Sequence, residues 1–409
     1  MCGWISEWTR RCLLRKIFLA VAAAGLCAVS ASCDRNASFE IPPVWGLGEN
    51  VPIIRVGIVT DTTLARIEIR MPYEVQDIAS GRVIAEGASM RESEVTREKG
   101  GFNLGRLFVP AERIQVVPQI DGTIVVKMGE VRRSYRGKMA FVPTGEKTFA
   151  IVNYVNLEHY VASVVSGEMY SDWPEAALRA QAVAARTYAL WRMNQKGKKE
   201  EWDLTAGQES QMYPGLSGEI AVTRKAAQDT FGVVLTYEGK IFAAYYHSTC
   251  GDSTASVQDV FGEEEIPPLS SVTCRNCRES PFYRWTVNVS QEEMVERLKS
   301  AGFAVEQISD VKVVELDQSG RAKSVEIDTG KKKFYVKPGE LRKVFGASRI
   351  RSTAFSIALE RGVFVIRGAG WGHGVGMCQW GAYGMAKWGF DAEGILRHFY
   401  QESEIVRLY

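Results

Sequence analysis

NLEHYVASVVSGEMYSDWPEAALRAQAVAARTYALW, residues Asn156 to Trp191, reads as two helices joined by a tight bend. In the first, Leu157, Tyr160, Val161, Val164 and Val165 recur at the helical period. The next position on that stripe is Glu168, where the pattern asks for an apolar residue. Burial without a cationic partner raises a carboxyl pKa, and a carboxylic acid kept protonated near neutral pH suits a general acid. The plain alternative is a structural Glu at a fraying helix end.

The second helix opens at Asp172-Trp173-Pro174-Glu175, with Asp172 and Glu175 spaced as a capping box and Pro174 in the first turn. Ala176, Ala177, Ala180, Ala182, Ala184, Ala185 and Ala189 follow, which permits close backbone approach and suggests a central helix. Glu175, Arg179 and Arg186 share its polar side; that face either meets solvent or borders a cleft.

Outward from this pair, the 409 residues suffice for two or three domains and a sizeable core. A net charge of +2, with Lys and Arg dispersed, gives no nucleic-acid footprint. Residues 1–33 form a leader: Arg10, Arg11, Arg15 and Lys16, an apolar run from Ile17 to Val29, then Ser30-Ala31-Ser32-Cys33. The run is short for a membrane span. Small residues directly before Cys33 resemble a bacterial lipoprotein box with Cys33 as the lipidated residue, although Ser30 stands where Leu is more usual. The expectation is an exported, membrane-anchored lipoprotein, with plain secretion or an uncleaved anchor as alternatives.

The expected architecture is α+β, a β-rich platform and a mixed core around the helix pair, with a small α+β insertion. Residues 34–50 read as a linker and 51–137 as the β-rich region, with strand-like runs such as Ile53–Thr60. The core occupies 138–285, the insertion 286–350, and the rest of the core 351–409.

Cysteines raise a metal question. His247-x2-Cys250 and Cys274-x2-Cys277 form two chelating pairs, and Cys3His is a closed tetrahedral zinc set. In an oxidising compartment a disulfide from Cys250 to Cys274 or Cys277 competes. A spare thiol would leave a three-ligand site able to bind water. The last segment, Gly370-Trp371-Gly372-His373-Gly374-Val375-Gly376-Met377-Cys378-Gln379-Trp380-Gly381, has glycine at alternate positions, as where backbone approaches backbone or ligand. It lacks the phosphate-loop pattern.

YVASVVSGEM…WPEAALRAQAVAARTYAL, Gln211-x-Tyr213-x-Gly215, YYHSTCGDST and GWGHGVGMCQWGAYGMA together, in this order, resemble the SpoIID/LytB family. The resemblance implies peptidoglycan glycan strands as substrate and lytic transglycosylase activity with Glu168 as the catalytic acid. It further implies substrate-binding roles for Arg186, Gln211, Tyr213, His373 and Gln379. Trp371, Trp380 and Tyr213 are candidates for sugar stacking. Cys378 departs from the family's usual Ser, and only some members carry the C-x2-C pair, so the metal does not transfer automatically. A non-catalytic glycan binder that enhances a cell-wall amidase is the alternative, and a metallohydrolase using His247 and the thiols a third.

Overall fold

The computed structural model describes residues 51–119, 121–196 and 200–409. The leader, Cys33 and the whole of the proposed linker lie outside the described residues. No helix among those described is long and apolar enough to cross a membrane.

An α+β fold is observed, and its platform is larger than the sequence suggested. A seven-stranded sheet runs in the order Leu204–Thr205, Ile53–Thr62, Phe149–Asn156, Lys138–Pro143, Ile114–Pro118, Tyr73–Asp77 and Val83–Gly87. A six-stranded sheet contains Val131–Arg136, Thr123–Met128, Ala65–Ile69, Met90–Glu98, Gly101–Leu104 and Leu107–Val109. Phe102 of the second sheet packs edge-on against Phe149 of the first, with ring centroids 5.6 Å apart, so the two sheets share a core there. Because Lys138–Pro143 and Phe149–Asn156 are inner strands of the first sheet, residue 137 is not a boundary. Hairpin continuity and the alternating apolar positions carry the platform on to Asn156.

Asn156 ends that last strand and caps helix α1, Leu157–Glu168, by accepting the Glu158 N–H at 2.9 Å. The apolar stripe is buried as the period requires: Leu157, Tyr160, Val161 and Val164 are wholly inaccessible. Each such Val or Leu contributes about 1.5–3 kcal/mol relative to exposure. Helix α2, Glu175–Lys196, is the central helix that its alanines indicated. It packs on α1, on α3 (Ala221–Asp229), on α4 (Gln379–Lys387) and on α5 (Ala392–Phe399). Buried Ala177, Ala180, Ala184, Ala185 and Ala189 let those neighbours approach. The helix starts at Glu175, after Pro174, whose carbonyl accepts the Leu178 N–H; Asp172 is exposed.

The insertion extends further than 286–350. Arg284–Ser290, Val363–Ala369 and Phe355–Glu360 form one three-stranded sheet, and Asp310–Leu316, Ala322–Asp328 and Lys333–Val336 another. Helices Gln291–Ser300 and Pro338–Phe345 join them in one apolar core running from Trp285 to Ile366. The strand that closes this unit follows the expected boundary and leads directly into the glycine-rich segment.

Candidate active site and thiol cluster

Glu168 is the last residue of α1, placed by backbone approach as well as by the helix. A Cβ on Gly167 would lie 2.3 Å from the Met212 carbonyl oxygen, so only glycine lets that loop close on the helix end. The loop then donates the Met212 N–H to Glu168 Oε1 at 2.8 Å. From the other side Gln379 Nε2 donates to Oε2 at 3.3 Å, and the Tyr246 hydroxyl also bonds the carboxyl. Glu168 keeps part of its surface open to solvent while protein atoms crowd its carboxyl. Burial raises its pKa, and the three hydrogen bonds, from Met212, Gln379 and Tyr246, partly offset the rise. All three donors are neutral.

Tyr246 was not singled out in the sequence, although it lies within the YYHST motif. Parallel pairing of Tyr246–His247 with Met377–Cys378 brings it beside Gln379. Gly376 permits this pairing: its φ is +68°, and a Cβ there would meet the Tyr245 carbonyl oxygen at 2.0 Å. A relay stands behind Tyr246. Tyr160 donates to Gln211 Oε1 at 2.9 Å, and Gln211 Nε2 donates to the Tyr246 hydroxyl oxygen at 2.9 Å and to the Ala185 carbonyl. Burial pushes the Tyr246 phenol well above its usual pKa, which keeps it a proton donor. Gln181, also missed, accepts from Gln379 Nε2 at 3.5 Å.

Several expected substrate contacts lie elsewhere. Arg186 is fully buried and forms a two-point ion pair with Glu158, Nε to Oε1 at 2.7 Å and Nη2 to Oε2 at 2.6 Å. Its remaining N–H groups reach the Val233 and Ala227 carbonyls, so it ties α1, α2 and α3 together out of reach of a glycan. Tyr213 is also interior: its hydroxyl donates to Asn153 and its ring packs against Tyr160 and Tyr135, leaving no face for a sugar. Gln211 is wholly buried and acts through Tyr246 rather than by contact. His373 is half-buried; Nδ1 accepts the Val375 N–H and Nε2–H donates to the Tyr246 carbonyl at 2.9 Å. Burial lowers its pKa to about 4, so it is neutral at physiological pH. Of the expected set, Glu168 and Gln379 meet directly and His373 borders them through Tyr246.

Beside the acid, the rings of Trp173 and Trp380 are 4.9 Å apart, and Tyr383 and Tyr170 flank them. Tyr170, two residues beyond Glu168, is 46% exposed. Trp371, by contrast, packs edge-on against Phe282 at 4.2 Å.

The expected Cys3His set is corrected by the structure. The sulfurs of Cys250, Cys274, Cys277 and Cys378 all lie within 4.8 Å of one another in a buried cluster that can hold a metal ion. A tetrahedral four-thiolate site with metal–sulfur bonds of about 2.3 Å needs sulfurs about 3.8 Å apart. Cys250 and Cys277 stand 3.5 Å apart, too far for a disulfide, and all four thiols are free. His247 turns away: its Nδ1 bonds the Val375 carbonyl at 3.1 Å, and burial keeps the ring neutral. Cys378 takes the fourth place because its pairing with His247 carries it under the Cys250 N–H, which bonds its sulfur at 3.2 Å. It also caps α4, accepting the Gly381 N–H at 3.2 Å.

The model of the family described as Stage II sporulation protein, SpoIID, matches residues 145–237, which hold Glu168, Tyr160 and Gln211, while Tyr246 and Gln379 lie beyond the match. The chain is 29% identical over 280 residues to a Stage II sporulation protein D of Bacillus amyloliquefaciens, covering 64% of this chain and 78% of that one. The chain belongs to the SpoIID family. An uncharacterized protein of Brachyspira hyodysenteriae is 31% identical over 357 residues, 87% of this SpoIID chain and 94% of that protein. An amidase enhancer of Bacillus subtilis is 26% identical over 291 residues, 59% of this chain but 40% of the enhancer. A domain of unknown function, DUF8618, matches residues 257–376. The thiol cluster of this SpoIID protein draws Cys274 and Cys277 from that segment, with Cys250 before it and Cys378 after it.

Proposed function

We propose that this chain is an exported peptidoglycan lytic transglycosylase with Glu168 as its single acid and base. The observation that carries the reading is a crowded carboxyl with a raised pKa, bonded by neutral donors alone, on a residue that keeps part of its surface open to solvent. Protonated Glu168 gives its proton to the glycosidic oxygen between MurNAc and GlcNAc as the C1–O bond breaks. The C6 hydroxyl oxygen of the same MurNAc then bonds to C1, and its proton passes to the Glu168 carboxylate. The product is a 1,6-anhydroMurNAc end. Because the nucleophile is tethered, no activated water is required, and one carboxyl serves where hydrolytic glycosidases use two. Met212, Gln379 and Tyr246 stabilise the transient carboxylate. Tyr170, Trp380 and Tyr383, packed around the buried Trp173, offer apolar faces for sugar rings.

The leader and Cys33 would carry the protein across the membrane and anchor it there by a lipid. The four thiols are proposed to hold zinc, which supplies a structural cross-link. A closed four-sulfur set leaves no position for water, so the sugar chemistry stays with Glu168. A second reading, favoured by similarity to a protein called an amidase enhancer, is that the chain grips glycan and stimulates a cell-wall amidase. Assaying Glu168→Gln on peptide-stripped glycan strands separates the two. The enzyme reading expects a rate loss of roughly 10²–10⁴-fold or more, whereas full turnover by the variant would sink it.

A further inference from the structure

Arg321 comes from the insertion, immediately before the strand Ala322–Asp328, yet its side chain reaches the core and is 1% exposed. Its Nη2 donates to the Cys250 carbonyl at 2.9 Å and to the Ser253 carbonyl at 3.4 Å. Nε and Nη1 find no hydrogen-bond partner among the described residues. Asp317, the acid nearest in sequence, spends its Oδ1 on the Arg321 backbone N–H and on Ser319. The guanidinium lies on Gly374, where φ is +95° and a Cβ would meet Cζ at 2.6 Å. That glycine clears space for the cation.

A buried guanidinium needs a compensating anion, because uncompensated burial of charge is strongly unfavourable. The groups that act on it electrostatically are the sulfurs of Cys250, Cys378 and Cys277 and the Asp317 carboxylate, which takes no hydrogen bond from the guanidinium. Four neutral thiols would leave it only that unbonded carboxylate. Four thiolates around a divalent ion carry a net charge of −2.

We propose that Arg321 is the counter-cation of a tetrathiolate metal centre, so that the insertion completes the metal site with charge without supplying a ligand through this residue. The proposal rests on the zinc reading above. It explains three placements together: a buried cation bonded to a ligand's own carbonyl, N–H groups left over, and a glycine whose missing side chain makes the approach possible. It also gives the insertion a function in the core, since removing Arg321 would leave the anionic cluster uncompensated.

The test uses the full chain purified without chelator. Zinc content is measured by elemental analysis and affinity by competition with a chromophoric chelator, for wild type, Arg321→Met and Arg321→Lys. Wild type should hold one zinc; Arg321→Met should bind it roughly 10–100-fold more weakly, with Arg321→Lys between them. Thermal midpoints supply a second sign. After zinc removal Arg321→Met should be more stable than wild type, because wild type then keeps a buried cation with no hydrogen-bonded anion. Equal zinc affinity in wild type and Arg321→Met would overturn the counter-charge role while leaving the zinc reading intact. An Arg321→Met chain that is unstable both with and without metal would assign the residue to packing and also overturn it. Wild type without stoichiometric zinc would overturn both.

Discussion

Gln379 Nε2 donates to Glu168 Oε2 across 3.3 Å, joining the start of α4 to the end of α1 over 211 residues of sequence. The bond stabilises the carboxylate, so it lowers the carboxyl's pKa against the larger effect of burial. Gln379→Leu should therefore move the alkaline limb of the pH–rate profile to higher pH. Loss of one hydrogen bond to a charged group, worth about 1.5–3 kcal/mol, should also cost roughly 10–100-fold in kcat on glycan strands. An unchanged alkaline limb would mean that the amide acts only in packing.

Burial of Glu168 also predicts a pH-dependent stability. Its folded pKa lies above the usual 4.5, so the folded state holds the proton more tightly than the unfolded chain. The stabilisation is complete below the unfolded pKa and is lost as pH rises through the folded value. Glu168→Gln has no such loss. Its thermal midpoint relative to wild type should rise as pH is raised from 4 toward neutrality, and a difference constant with pH would contradict the assignment.

Arg186 should matter for stability rather than for grip. Arg186→Ala leaves Glu158 charged in the core, a change that costs about 3–5 kcal/mol when one partner of a buried pair is removed. Chemical denaturation should show that loss. A normal denaturation midpoint together with weakened glycan binding would return Arg186 to the groove.

The fourth thiol has its own test. Cys378→Ser should lose stoichiometric zinc, and chelator treatment of wild type should lower the thermal midpoint. His247→Gln should retain the metal, because His247 bonds the Val375 carbonyl rather than joining the cluster. Zinc retained by Cys378→Ser and lost from His247→Gln would restore the Cys3His set.

These contrasts show which parts of the site were legible in the sequence. Glu168 was, because one polar residue on an otherwise apolar helical stripe is a local anomaly that periodicity exposes. Gly376 and its neighbours were, because alternating glycines signal backbone contact, which the pairing of Tyr246–His247 with Met377–Cys378 provides. Arg186 misled because helical period alone does not say whether a polar face meets water or a buried partner; Glu158, 28 residues earlier, decides it. Cys378 was missed because C-x2-C spacing reports only ligands that are neighbours in sequence, and Cys378 is 128 residues from Cys250. Likewise the insertion closes on Val363–Ala369, whose partner strand Arg284–Ser290 lies about 80 residues earlier and gives no local sign of the pairing.

The most direct test of the central claim is the mass of the sugar ends released when the purified full chain acts on peptide-stripped glycan strands. Wild type should release 1,6-anhydroMurNAc ends and Glu168→Gln essentially none. Reducing MurNAc ends, or equal release by the variant, would contradict it.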